Sequence, residues 1–264
     1  MRIATWNINS VRMRLGLLLK LIEEEAPDVV CLQETKTVDA DFPLAPLAER
    51  GYAHAHIHGM KSYNGVAILS RLPLEATAVQ HWCDREDCRH ALAMLPGGIE
   101  LHCVYIPAGG DIPDPAVNDK FAHKLRFLDD MTAWLAEHRS PDRPMVLVGD
   151  LNIAPLEADV WSHKELLSVV SHTPIEVEKL GAMQRSAGWV DAMRHFVPET
   201  EKLYTWWSYR ARDWAASDRG RRLDHIWVTP PLKPALTGIK VLRDARGWEP
   251  KPSDHVPVIV DLAV

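Results

Sequence analysis

Short apolar runs recur along the chain, and the residues that close them share a chemistry. Val29-Val30-Cys31-Leu32 and Met145-Val146-Leu147-Val148 are continuous apolar stretches of strand length, the pattern of strands buried on both faces. The first runs into Gln33-Glu34-Thr35-Lys36 and the second into Gly149-Asp150-Leu151-Asn152. Trp6-Asn7-Ile8-Asn9, Tyr105-Ile106-Pro107, Arg222-Leu223-Asp224-His225 and Ser253-Asp254-His255 behave alike. Each sets an acid, amide, phenol or imidazole beside an apolar run, so these polar groups are expected at one rim of a sheet.

The rest of the pattern predicts an α/β chain. After a strand over Met1–Trp6, a helix is expected from Ser10 as N-cap. Leu15, Leu18, Leu19 and Ile22 recur at helical spacing until Pro27 stops it. Between Tyr52 and Tyr105, the runs Val66–Leu69, Ala91–Leu95 and Ile99–Val104 are separated by Gly and Pro turns, which suggests antiparallel pairing. An apolar stripe of Phe121, Leu125, Leu128, Met131 and Leu135 predicts a helix over Asn118–His138. Short helices are expected over Glu157–Val170 and Pro174–Ala187, the second capped by Thr173 with proline in first position. Leu223–Val228, Gly238–Leu242 and Val256–Leu262 supply closing strands. Strand material on both sides of a helical centre predicts a four-layered α/β sandwich, two packed mixed β-sheets flanked by helices. No linker-like stretch divides residues 1–264, so one domain is expected.

With 47% hydrophobic and 25% charged residues and no low-complexity stretch, a disordered or fibrous chain is excluded. The chain opens directly on a strand, without a basic stretch followed by an apolar one, and has no run of membrane-spanning length. The expectation is a soluble cytoplasmic protein that engages no membrane. The four cysteines are then expected to be reduced, with Cys31 and Cys103 in the core. His81, Cys83, Cys88 and His90 flank a short spacer as zinc ligands do. Their spacing departs from structural zinc patterns and favours a loop with free thiols. His54, His56 and His58 alternate along one strand and read as surface-facing.

The net charge of −6 argues against a uniformly basic nucleic-acid binder, but the distribution matters more than the sum. Arg210, Arg212, Arg219, Arg221 and Arg222 crowd one segment that directly follows Tyr204-Thr205-Trp206-Trp207-Ser208-Tyr209. A solvated arginine loop is the plain reading. Aromatics interleaved with guanidinium groups equally suit nucleotides and phosphates.

The rim residues match what phosphodiester hydrolysis demands: a cation, a water activator and a stabiliser for the departing oxygen. Glu34 is the strongest candidate as an oxygen ligand for a hard cation such as magnesium, the plain reading being a surface glutamate at a helix start. Asp150 is placed to take a proton from water, and Asn152 to orient that water or a phosphate oxygen, the plain reading being an Asx turn that caps the following helix. His255, held protonated by Asp224, would hydrogen-bond a nonbridging oxygen and leave Asp254 for the metal shell. Tyr105 would donate to the departing oxygen or stand as a plain aromatic at the rim.

Taken in order, Thr5–Arg12, Leu32–Lys36, Asn64–Ile68, Gly149–Pro155, Tyr204–Trp207, Arg222–Asp224 and Ser253–His255 resemble exodeoxyribonuclease III and related apurinic/apyrimidinic endonucleases of the endonuclease/exonuclease/phosphatase superfamily. The resemblance implies incision of duplex DNA on the 5′ side of abasic sites, with 3′-to-5′ exonuclease action and trimming of blocked 3′ ends. It also implies magnesium; a monomer is expected, with manganese able to take the metal's place. It places the metal on Glu34 with Asn7, Asn9 and Asp254 nearby, and proton transfer from the attacking water on Asp150. Asn152 then supports the transition state, His255 with Asp224 binds phosphate, and Tyr105 assists the leaving oxygen. Trp206 and Leu223 wall the pocket for the flipped sugar, while Arg210, Arg221 and Arg222 lie on the DNA side. Some relatives carry aspartate where this chain has Asn9, and an aromatic where it has Arg221. A phosphatase of small ligands or phosphoinositides on the same fold, and a DNA-binding scaffold without turnover, are the alternatives.

Overall fold

The computed structural model describes residues 1–264. In chain order the strands are β1 (Arg2–Asn7), β2 (Val29–Gln33), β3 (His54–His58), β4 (Val66–Ser70), β5 (Ala76–Ala78), β6 (His90–Leu95) and β7 (Ile99–Tyr105). They continue with β8 (Met145–Asp150), β9 (Val190–Asp191), β10 (Trp206–Trp207), β11 (Gly220–Arg221), β12 (Asp224–Val228), β13 (Leu236–Val241) and β14 (Val258–Leu262). One six-stranded sheet runs β13-β14-β1-β2-β4-β3 and the other β5-β6-β7-β8-β12-β9. Both are mixed, with a parallel pair at the centre: β1 with β2, and β7 with β8.

Alternation along each strand splits its side chains between two cores. Ile3, Val29, Cys31, Ile68, Ala93, Leu101, Val146, Val148 and Ile226 meet between the sheets. Ala4, Trp6, Val30 and Leu32 turn outward onto Leu18, Leu21 and Ile22 of the helix Leu15–Glu25. Leu147 and Trp227 turn to the opposite outside, under Leu128, Met131 and Leu135 of the helix Asp119–His138 and Met183 of the helix Pro174–Ser186. The four layers expected from the sequence are therefore present. No helix is long and apolar enough to cross a membrane.

Two helix starts follow their sequence signals. Asn118 caps its helix by accepting from the N–H groups of Lys120 and Phe121. At the start Pro174 opens, the N–H and the hydroxyl of Thr173 both donate to Glu176 Oε2. Two expectations are corrected. The first helix begins at Leu15, not behind Ser10, because residues 8–11 are spent pairing with the end of β2: Ile8 N–H donates to Gln33 O, and Ser10 N–H to Glu34 O. The stretch Glu157–Val170 forms a 3-10 turn (Glu157–Asp159) and a single helical turn (His163–Leu166), not a continuous helix.

His56 and His58 are half-buried rather than surface-facing. As part of the edge strand β3 they reach the other sheet, His56 Nε2 lying 3.0 Å from Ala78 O and His58 Nδ1 3.0 Å from His90 O. All four cysteines are buried and unpaired. His81, Cys83, Cys88 and His90 do not converge on a common point, since one other cluster alone brings three such ligand atoms together. His90 instead lies 3.0 Å from His102 Nδ1. Burial, with Asp130 beside it, pushes the Cys83 thiol up to about 12.

Candidate active site

Asn7, Gln33, Tyr105 and Asp150 are the last residues of β1, β2, β7 and β8, so both parallel pairs deliver their carboxyl ends to one rim. Asp224 opens the antiparallel β12 directly opposite Asp150. Asp254 and His255 precede β14 at the same rim. Gly149 is required there: it faces Val104 across the parallel pair, and a Cβ at its φ of 144° would come within 1.9 Å of Val104 O.

The rim opens into a cavity of about 700 Å³ whose floor holds Glu34, Tyr105, Asp150, Asn152, Asp254 and His255. Trp161, Val169, Val170, Trp206 and Leu223 form its apolar wall, and Arg210, Arg219 and Arg221 border it. The structure thus gathers the expected polar residues in one place, with Trp206, Leu223, Arg210 and Arg221 around them.

Hydrogen bonds fix each acid differently. Asn7 Nδ2 donates to Glu34 Oε1 at 2.9 Å and to Asp150 Oδ2 at 2.9 Å, tying the two carboxylates together. Its amide oxygen accepts from Asn9 N–H, so Asn7 orients the acids here and does not present an oxygen between them. The Tyr105 hydroxyl donates to Glu34 Oε1 at 3.0 Å. Lys36 Nζ lies 2.7 Å from Glu34 Oε2 and 2.7 Å from Asn9 Oδ1. Asn9 Nδ2 and Trp206 Nε1 donate to opposite oxygens of Asp254. Asn152 sits at a left-handed φ of 54° and donates from Nδ2 to Ile106 O and Asp150 Oδ2. Its amide nitrogen thereby braces Asp150.

The charge states follow from these contacts. Burial opposes ionisation of Glu34, but Lys36 and Asn7 outweigh it and lower its pKa. Burial likewise opposes Asp254, and His255, Trp206 and Asn9 overcome it. Asp150 is pushed up to about 7 by burial, against the pull of His255, with Asp224 and Glu34 adding repulsion. Burial alone would discharge His255; Asp224, at 2.8 Å from Nδ1, and Asp150 raise it to about 10. His255 Nε2 lies 3.6 Å from Asp150 Oδ2, beyond a direct hydrogen bond. The floor therefore carries ionised carboxylates on one side, an imidazolium on the other, and between them an acid that is half-ionised near neutrality.

Asp150, Asp224 and His255 bring their ligand atoms within 4.8 Å of one another. They make a poor metal set, because a protonated imidazole bound to Asp224 has no lone pair to give. Glu34 and Asp254 fit a hard cation better: both are ionised oxygen donors. The Glu34–Asn9 pair of oxygens already holds a cationic group, the Lys36 ammonium.

Arg222 is a correction. Expected on the DNA side, its guanidinium is fully buried and bridges Asp159 and Asp191, at 2.7 Å and 2.6 Å, joining the loop before the cavity wall to β9. Three features escaped the sequence reading. Lys36 was visible two residues after Glu34. Trp161 joins the wall from a loop with no periodic signal. Lys124, buried under the rim, donates to the backbone oxygen of Asn152 at 2.8 Å and to Glu176, which also accepts from Ser171 and Thr173. An isolated charged residue in a helix pattern gives no hint of a partner 52 residues away.

The sequence profile of the Endonuclease/Exonuclease/phosphatase family matches residues 4–255, and the chain belongs to that family. It is 29% identical over 268 residues to exodeoxyribonuclease III of Haemophilus influenzae, with 98% of each chain covered. Among solved structures it is similar to an AP endonuclease from Archaeoglobus fulgidus, at a TM-score of 0.92 and 32% identity over the full length of both chains. It is also similar to the 3′ phosphatase NExo from Neisseria bound to a product DNA hairpin, at a TM-score of 0.90 and 30% identity over the full length of both.

Proposed function

We propose that this protein is a DNA-repair phosphodiesterase that incises duplex DNA on the 5′ side of abasic sites and trims 3′ ends, exonucleolytically or at blocked termini. It works as a cytoplasmic monomer of one domain with magnesium, or manganese in its place. The relatives named above, a nuclease, an AP endonuclease and a 3′ phosphatase, support the reaction class. The observation that carries the reading is the separation of charge in one cavity, with ionised Glu34 and Asp254 facing the His255 imidazolium across Asp150.

Glu34 and Asp254 would hold the divalent ion, displacing the Lys36 ammonium, with Asn9 beside them and Asn7 steering Glu34. When bound, that ion polarises a phosphate oxygen and acidifies water. His255 Nε2 donates to a nonbridging phosphate oxygen. Asp150, whose proton affinity matches neutral pH, accepts the proton of the attacking water while Asn7 and Asn152 hold it in place. The Tyr105 hydroxyl donates to the departing oxygen. Trp161, Trp206 and Leu223 receive a sugar without its base, whose extrusion costs less unstacking than that of an intact nucleotide. Arg210 and Arg219, exposed at the mouth, grip backbone phosphates.

The test is a duplex carrying one tetrahydrofuran site. Incision should require magnesium, stop with EDTA, and be inhibited by unlabelled abasic duplex but not by inositol phosphates. Preferential hydrolysis of the small phosphoesters would favour the small-ligand phosphatase, and tight duplex binding with no turnover would favour the scaffold.

A further inference from the structure

The cavity wall contains a cation that the hydrolytic scheme leaves unused. Arg221 borders the same space as Glu34, Asp150, Asn152 and His255, among side chains that otherwise suit a neutral sugar. Its position is rigid. One terminal nitrogen donates to Val170 O at 3.0 Å and to Ser171 Oγ at 2.7 Å, and the guanidinium lies over the Trp206 ring at 5.3 Å. Its backbone pairs with Trp206 in β10 and bridges Val160. Ser171 is itself anchored by its N–H to the buried Glu176 carboxylate.

This guanidinium has no counterion. Its neighbour Arg222 is neutralised by two carboxylates, whereas Arg221 forms no ion pair and its Nε is buried without a hydrogen-bond partner. Burial lowers its pKa with only Glu176 acting against the shift. A desolvated cation without a partner is costly, and an incoming anion that pairs with it recovers that cost. With Nη1 engaged by Val170 and Ser171 and Nε buried, Nη2 is the donor left for a charge-assisted bond to a phosphate oxygen.

We infer that Arg221 selects DNA 3′ ends whose scissile phosphate carries an extra anionic oxygen into the pocket, a terminal phosphomonoester above all, over substrates that place a neutral sugar there. The inference rests on the phosphodiesterase reading and narrows the substrate of its pocket. An internal diester carries one negative charge and continues into an uncharged sugar. A terminal phosphate has a second pKa of about 6, so at neutral pH it offers a second charged oxygen on the side where the sugar would lie.

The test measures binding, so it does not depend on turnover. Affinities of nicked duplexes ending in 3′-phosphate or 3′-hydroxyl are measured by fluorescence anisotropy in EDTA at fixed salt. The readout is the ratio of the two dissociation constants, compared between proteins. Arg221→Gln should lower the preference for 3′-phosphate about tenfold or more relative to wild type, the scale of one charge-assisted hydrogen bond. Arg221→Lys, which keeps the charge and loses the planar guanidinium held by Val170 and Ser171, should fall between them, and it serves if the glutamine variant does not fold. An unchanged ratio in the variants overturns the inference. If the ratio falls as expected while the wild type shows no magnesium-dependent cleavage of either end, the hydrolytic reading fails and the assignment of Arg221 stands.

Discussion

His255 Nδ1 lies 2.8 Å from Asp224 Oδ2, and this contact turns the other imidazole nitrogen toward Asp150 and the cavity. Asp224 is fully buried, and its second oxygen has no partner. Its carboxylate is therefore dedicated to the histidine. Asp224→Asn should leave duplex affinity near wild type while lowering the single-turnover rate by about 10²-fold, the usual scale for misplacing one proton-bearing group. A single-turnover rate equal to wild type would show that the Asp224–His255 contact does not serve the chemical step.

Arg210 and Arg222 stand twelve residues apart in a single arginine-rich segment but in opposite environments, one exposed at the cavity mouth and the other buried between Asp159 and Asp191. Arg210→Ala should weaken DNA binding and reduce the salt dependence of binding by about one unit of log–log slope, with no change in melting temperature. Arg222→Met leaves Asp191 without its ion pair and Asp159 with Arg194 alone, and should cost about 3 kcal/mol in urea unfolding.

This contrast marks what the sequence discloses. Strands were legible because apolar runs such as Val146–Val148 and Val29–Leu32 carry their own signature, and the rim was legible because polar residues end those runs. Pairings across the fold leave no local trace. Nothing in the order of residues separates Arg222, locked to Asp159, from Arg221, which faces the cavity. Ser10 reads as a cap until the loop after β1 is seen bonded to the end of β2. Lys124 and Glu176 sit in separate helices, and only packing makes them a support beneath Asn152.

Trp206 has two roles, since its ring walls the pocket and its Nε1 donates to Asp254 Oδ2 at 3.0 Å. Trp206→Phe keeps an aromatic wall but frees a carboxylate assigned to the metal. The magnesium concentration for half-maximal incision should rise about tenfold, the scale of losing an outer-shell partner. An unchanged magnesium requirement would remove Asp254 from the ligand set.

Away from the cavity, Glu100 is buried at the end of a chain of contacts from His90 through His102, with Arg139 and Arg143 also upon it. Burial pushes its pKa up, but His102 and Arg139 prevail and lower it to about 2. A depressed native pKa contributes stability that is fully present above the unfolded value near 4.3 and is lost as pH falls through about 2. Between pH 5 and 2 the wild type should lose about 2 kcal/mol that Glu100→Gln does not lose, read by urea unfolding at each pH. Parallel curves for the two proteins would contradict the contact chain as drawn.

The role of Asp150 is read from the single-turnover incision rate of a tetrahydrofuran duplex in magnesium by Asp150→Asn, a change that keeps the shape of the side chain and removes its ability to take a proton. The rate should fall about 10³-fold below wild type with duplex affinity retained. Incision at the wild-type rate would show that Asp150 does not accept the proton of the attacking water, and the assignment of roles around the rim would fall with it.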